Sequence, residues 1–289
     1  MATDTITDTL VSTDWLEDHL NAPDVRIVDA SWYLPTDNRD SKAEYAERHI
    51  PGAVFFDIDE IADTDSDLPH MLPSPEKFAA RARKLGLGDG NRIVVYDGGG
   101  VLAAARAWWM FKVFGHEDVV VLDGGMQKWL REGRPLDDLP PAPHERHFTA
   151  RLNSMLIRDM GQIQRYVETR REQVVDARSP QRFAGQVPEP RPNVRSGHIP
   201  GSFNLPYSRL IDSEAGTFLP PEQIKAAFLD AGVDVKGPIV TTCGSGVTAC
   251  VLYLGLHMLG HRKIAVYDGS WAEWGGALDT PVAVIKASA

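Results

Sequence analysis

The sequence predicts an α/β protein made of two tandem domains, each a mostly parallel sheet flanked by helices. Three observations predict it. One set of motifs recurs later in the chain in the same order. Short β-branched runs alternate with helical segments in both copies. The composition is that of an ordinary globular chain, with 43% apolar and 24% charged residues among 289. A chain of this length buries about 75% of its unfolded surface, so it needs neither disulfides nor metals to hold a core.

The repeat is read directly from the letters. Val28-Asp29-Ala30-Ser31 returns as Val175-Asp176-Ala177-Arg178, and His49-Ile50-Pro51-Gly52 as His198-Ile199-Pro200-Gly201. Ile93 to Val101 returns as Ile239 to Val247, Gly115-His116 as Gly260-His261, and Leu122 to Gly125 as Tyr267 to Ser270. The offset stays between 145 and 149 residues. That period is far longer than a solenoid's and marks duplicated domains. Residues 1–134 form the first domain and 155–289 the second. Between them, 135–154 carry Pro135, Pro140, Pro141 and Pro143, which reads as a linker.

Within the first domain, Ser12 is an N-cap for a helix running to about Leu20. Arg26–Asp29, Arg92–Tyr96 and Asp118–Leu122 read as strands. In the second, Gln173–Asp176, Gly237–Thr242 and Lys263–Tyr267 take the same places. The apolar, β-branched middle strand suits burial on both faces. Ala249–Leu259 follows as a helix, apolar on most of its surface. Strands alternating with helices imply parallel sheets.

Charge and cysteine content exclude several functions. With 30 basic and 40 acidic residues, the formal charge is −10, which argues against nucleic acid or an anionic membrane as partner. No run approaches the ~20 apolar residues of a bilayer span. The first twenty residues lack a basic region and any Arg, so neither a secretory signal nor a mitochondrial presequence is expected. Cys243 and Cys250 are the only cysteines, which rules out a disulfide framework and a zinc knuckle. The expected setting is a reducing cytoplasm.

The chemistry concentrates at Cys243-Gly244-Ser245-Gly246-Val247-Thr248, where a strand enters a helix through a glycine-bearing turn. Backbone N–H groups converge at such a turn, and the helix N-terminus adds partial positive charge. Open α/β sheets place ligands at this end of their strands. A thiolate is the nucleophilic form of cysteine, and this setting is expected to lower the Cys243 pKa. The third glycine of a dinucleotide fingerprint is missing. Ala249 stands where the arginine of a cysteine phosphatase loop would be, so a phosphoryl transition state loses its clamp. In the first copy Asp97 occupies the Cys243 position; a carboxylate cannot carry sulfur, so that domain is expected to be catalytically silent, with Asp97 capping the helix after Gly100.

The tandem halves, the His-Ile-Pro-Gly turns and the Cys243-Gly244-Ser245-Gly246-Val247-Thr248-Ala249 loop resemble the rhodanese superfamily over about residues 10 to 280. Gly244-Ser245 resembles the loop of its 3-mercaptopyruvate branch, whereas thiosulfate-preferring members carry Arg and Lys there. The resemblance implies two rhodanese-like domains and sulfur transfer through a Cys243 persulfide, with no metal or organic cofactor. Gly244, Gly246, Val247 and Thr248 cradle the sulfur. The resemblance makes Arg182 and Arg191 the substrate arginines, and a guanidinium fork suits the oxygens of a 2-oxo acid. It also implies a relay of Asp59, His70 and Ser245, an oriented base polarising a hydroxyl. Asp57 rivals Asp59, because spacing alone does not separate them. The acceptor is a thiol, thioredoxin-like by analogy, or cyanide. A thiosulfate:cyanide sulfurtransferase and a persulfide carrier with poor turnover remain alternatives. His49 and His198 sit in turns repeated in both domains, which favours packing roles. Asp29 and Asp176 end matching strands and satisfy loop amides, with Asp176 also bracing the Cys243 loop. Trp271 walls the pocket or packs the core. Cys250 reads as a small core residue.

Overall fold

A computed structural model describes residues 9–34 and 37–285. It divides into two compact units. The first takes in the chain up to Thr64, then Leu72–Asn153 and Asp212–Phe218; the second takes in Asp65–Met71, Ser154–Ile211 and the chain from Leu219 onward.

The first unit runs β1 (Leu10–Val11), α1 (Thr13–Asp18), β2 (Val25–Asp29), α2 (Ser41–Glu47), β3 (Val54–Phe55), α3 (Ile58–Ile61) and α4 (Pro75–Lys84). It continues through β4 (Arg92–Tyr96), α5 (Leu102–Val113), β5 (Val119–Leu122) and α6 (Gly125–Arg131). Its sheet is parallel, in the order β1-β5-β4-β2-β3. Ser12 caps α1 as expected, its hydroxyl accepting from the Trp15 N–H at 3.1 Å. The helix stops at Asp18, two residues short of the sequence expectation. On one sheet face Ile27, Val94, Tyr96, Val120 and Leu122 pack with Trp15 and Leu16 of α1 and Trp129 of α6. The alternate residues Val28, Ile93, Val95, Val119 and Val121 are equally buried, and α5 packs on β4 and β5. Period-2 side chains buried on both faces explain the unbroken apolar runs of β4 and β5. The helix α5 is buried all round, Arg106 included, which explains its lack of a polar stripe.

The second unit repeats this plan. It runs β6 (Ile157–Arg158), α7 (Met160–Thr169), β7 (Gln173–Asp176), α8 (Pro180–Ala184), β8 (Phe203–Asn204) and α9 (Pro221–Asp230). It then continues through β9 (Ile239–Thr242), α10 (Ala249–Met258), β10 (Ile264–Tyr267) and α11 (Ser270–Gly276). Its parallel sheet has the order β6-β10-β9-β7-β8, strand for strand the order of the first. The doubly covered parallel sheets agree with the fold class read from the sequence.

The proline-rich segment 135–154 is not free chain. Through Asn153 it belongs to the first unit. His49 and Asp137 exchange backbone hydrogen bonds, Phe148 is fully buried, and the Arg151 N–H donates to the Phe114 carbonyl at 2.8 Å. Prolines punctuate the segment, but buried backbone partners fix it. Among the described residues, no helix is long and apolar enough to cross a membrane.

Candidate active site

Parallel β9 delivers Cys243 to the carboxyl edge of the second sheet, and α10 starts six residues later. The turn between them is held from α11. The Trp271 N–H donates to the Cys243 carbonyl at 3.0 Å, and the Ala272 N–H to the Gly244 carbonyl at 2.9 Å. The Cys243 N–H donates to Ser270 Oγ at 3.2 Å, and that hydroxyl donates to the Tyr267 carbonyl at 2.8 Å. Ser270 adopts φ +51°, a left-handed conformation costly for a residue with a Cβ. Gly246 takes φ +80°, where glycine pays no such penalty. Cys243 is 2% exposed, deeper than the open mouth the sequence suggests, because both of its peptide groups are bonded to the first two residues of α11. The N–H groups of Ser245, Val247 and Thr248 carry no bond to another protein group among the described residues. They are donors left for an anion.

Arg182 lies over this turn. A Cβ added to Gly244 would sit 2.9 Å from Arg182 Nη2, so the guanidinium rests directly on the loop backbone. It projects from α8, a short helix begun by Pro180 and ended by Gly185 at φ +76°. Glu189 anchors it, accepting from Arg182 Nη2 at 2.5 Å and from Nε at 3.2 Å. The same carboxylate accepts from Arg178 Nη1 at 2.8 Å and is itself 3% exposed. Arg178 also forks onto Asp176, with Nη2 at 2.7 Å and Nε at 3.0 Å from Oδ2, and its Cζ stacks 4.4 Å from the Trp271 ring. Buried arginine and carboxylate thus satisfy each other bidentately, and Arg182 is held 27% exposed at the chain's end of that network.

These contacts sort the residues singled out from the sequence. Cys243, Gly244, Ser245, Gly246, Val247, Thr248 and Arg182 come together in the second unit. Arg191 is half-buried in the segment that follows Glu189. His70, at φ +60°, belongs to the second unit and Asp59 to the first. The Ser245 hydroxyl makes no hydrogen bond among the described residues, so no bond to His70 completes a relay. Asp57 and Asp59 separate cleanly: Asp57 caps α3 and pairs with Lys42 at 2.6 Å, while Asp59 Oδ2 accepts from Trp32 Nε1 at 2.9 Å.

His49 and His198 are packing residues. Each Nδ1 lies within 2.8 Å of a main-chain carbonyl, and the rings stack on Tyr45 and Phe183. Asp29 and Asp176 accept the N–H groups of Ser31 and Arg178, each at 2.9 Å. Trp271 is core, its Nε1 donating to the Arg195 carbonyl at 2.8 Å. Cys250 is fully buried, its thiol 3.2 Å from the Gly246 carbonyl. The sequence reading missed Arg178, Glu189 and Ser270. The repeat held two of these signals: Arg178 replaces Ser31, and Ser270 replaces Gly125, at otherwise matching positions.

Residues 12–132 and 159–277 each match the model of the rhodanese-like domain. The chain belongs to the rhodanese family. Among its rhodanese relatives, human 3-mercaptopyruvate sulfurtransferase is 44% identical over 280 residues, covering 95% of this chain and 94% of the relative. Rat thiosulfate sulfurtransferase is 43% identical, covering 92% and 91%. The crystal structure of the 3-mercaptopyruvate sulfotransferase SseA from Escherichia coli superposes with a TM-score of 0.85 at 38% identity, covering 92% of this chain and 99% of that one. This rhodanese carries the cysteine loop in its second domain and an aspartate at the matching place in its first.

Proposed function

We propose that this rhodanese is a 3-mercaptopyruvate sulfurtransferase acting through a Cys243 persulfide. The Cys243 thiolate attacks the donor's sulfur. The new Sγ–S bond forms as the carbon–sulfur bond breaks, and the electron pair leaves as the enolate of pyruvate. Arg182 and Arg191 hold the carboxylate and carbonyl oxygens, and Ser245 or water returns the proton that makes pyruvate. The loop N–H groups, with Gly244, Gly246, Val247 and Thr248 shaping the turn, cradle the persulfide. An acceptor thiolate or cyanide then takes the outer sulfur, and Cys243 departs as the thiolate. A thioredoxin-like dithiol fits the acceptor role, and the two free cysteines fit a reducing compartment such as the cytoplasm. His70 and Asp59 enter this reading as the base and its orienting partner for Ser245, supported by the family resemblance.

One observation carries the choice of donor: Gly244 has Arg182 packed on its backbone, and the loop brings no basic side chain of its own. With Glu189 already balancing Arg182, the site offers the modest positive field that a monocarboxylate needs. A thiosulfate dianion would call for more cations. Intact-protein mass spectrometry after exposure to each donor tests the reading. A gain of one sulfur atom from 3-mercaptopyruvate, absent in Cys243→Ser, is expected. Faster loading and turnover with thiosulfate would favour the second reading, supported by the rat relative.

A further inference from the structure

The first unit contains a cavity at the other end of its sheet. It lies at the amino ends of β2 and β3, remote from Asp97, and has a volume of about 360 Å³. Leu20, Leu85 and Pro143 supply apolar wall, and Arg26, His144 and Arg146 supply every ionisable side chain that lines it. A cavity without a carboxylate is unexpected in a chain with 40 acidic residues.

Neither arginine forms an ion pair among the described residues; Arg26 Nη1 donates to the Val25 carbonyl at 2.6 Å. Burial, and then the charge of Arg146, push the Arg26 pKa down, against the pull of Asp24. Two guanidinium groups therefore repel each other across a hollow with no anion of the protein's own between them. The wall opposite is stiff. Pro141 and Pro143 restrict it, and Gly86 packs so closely that a Cβ there would sit 3.0 Å from Pro143 Cβ.

The second unit closes the same place with its own atoms. Gln173 stands at the Arg26 position and bonds the Asp234 backbone through both ends of its amide, at 2.8 and 2.7 Å. The Arg170 guanidinium fills the space against Gly201 and donates to the Pro200 carbonyl at 3.0 Å. In the first unit Pro23 replaces Arg170, and nothing lies within 4 Å of where a Gly52 Cβ would be.

We propose that this cavity binds a small organic anion, a carboxylate or phosphate monoester with an apolar body, at a site separate from the Cys243 loop. Guanidinium forks match both anions, and the volume falls within the ~300–1,000 Å³ of small-molecule sites. Phenyl phosphate, benzoate and inorganic phosphate serve as probes in calorimetric titration of the whole chain. Phenyl phosphate or benzoate is expected to bind the wild type and the Cys243→Ser variant equally. The Arg26→Gln/Arg146→Gln double variant is expected to lose at least about tenfold in affinity while retaining sulfur transfer. Which aromatic probe binds tighter decides between phosphate and carboxylate. Arg146→Gln alone changes an exposed side chain with no bond to lose; it keeps the test decisive if the double variant misfolds, and a several-fold loss is expected. Undiminished binding to these variants, no binding of either aromatic probe below about 10 mM, or equal affinity for inorganic phosphate would overturn the proposal.

Discussion

Asp97 and Cys243 stand at the same point of two copies of one fold, and they show what the turn is for. In the first unit the turn is filled from within. Asp97, 1% exposed, accepts the Gly99 N–H at 2.7 Å and the Ala104 N–H at 2.9 Å. Tyr33 lies over Gly98 so closely that a Cβ there would overlap its hydroxyl. In the second unit the turn carries a thiol, the N–H groups of Ser245, Val247 and Thr248 bond no protein group among the described residues, and Arg182 lies partly exposed over Gly244. Bracing from the following helix is shared: Met126 N–H to the Asp97 carbonyl, and Trp271 N–H to the Cys243 carbonyl, both at 3.0 Å. The frame is therefore common to both, and the chemistry depends on what fills it. At the opposite end of the sheets the pattern reverses, with the second unit filled by Arg170 and the first left open.

The largest effect is expected at the sulfur. Cys243→Ser leaves a hydroxyl that holds no sulfane sulfur, and donor turnover is expected to fall by about 10⁴-fold or more. Adding Asp97→Cys to that variant is expected to restore nothing, because Tyr33 covers the first turn. Recovered turnover, measured as pyruvate release, would show that a thiol in a ring of amides suffices.

Next is the cost of the filled turn. Burial pushes Asp97 up to about 6, and the Ala104 and Gly99 N–H bonds offset only part of that. The unfolded carboxyl titrates near about 4. Between those values the native state keeps a proton that the unfolded state has released. Stability from this group is therefore greatest below about pH 4, falls as pH rises to about 6, and is flat beyond. A shift of about two units corresponds to about 3 kcal/mol. Asp97→Asn resembles the protonated acid and cannot titrate. Wild-type stability is expected to fall by up to about 3 kcal/mol between about pH 4 and 6, while urea unfolding of the variant stays flat across that range. Parallel pH curves for the two proteins would contradict this.

Much of this comparison is legible in the letters, because a duplicated chain serves as its own alignment. Asp97 opposite Cys243 is visible that way, and so are the strands: Arg92–Tyr96 and Gln173–Asp176 match the structure end to end. Apolar β-branched runs between glycines admit little else. The two-residue edge strands Leu10–Val11 and Ile157–Arg158 are not legible, since two residues carry no periodicity. Segment 135–154 misleads, because proline content reports local stiffness and says nothing of burial. At the site, Glu189 escapes notice because its importance lies in two arginines meeting it in space, one of them eleven residues upstream. Asp57 and Asp59 are separated only by their partners, Lys42 and Trp32.

A smaller effect is expected from Gly244→Ala. The new Cβ meets the far end of the flexible Arg182 side chain, which can move aside, so the fold loses little, about 0.5 kcal/mol or less. The displaced guanidinium no longer rests on the loop, and KM for the donor is expected to rise about tenfold with a smaller change in kcat. A fall in melting temperature with KM unchanged would mean that Arg182 does not act on substrate from this position.

The smallest effect separates two roles of Ser270. Its repeat counterpart is Gly125, at φ +54° against φ +51°. The left-handed backbone thus belongs to the frame, and the second unit accepts strain there in return for a hydroxyl that takes the Cys243 N–H. Ser270→Ala removes the acceptor and keeps the strain, so a loss of about 1–2 kcal/mol is expected. Ser270→Gly removes both, and relief of about 1 kcal/mol should bring it close to wild type in denaturant unfolding. Both variants release the Cys243 N–H equally, so both are expected to show the same few-fold drop in sulfur loading rate. Equal stabilities for Ala and Gly would mean that the left-handed turn stores no strain. Unequal loading rates would mean that Cys243 is aligned by backbone conformation and not by the serine hydroxyl.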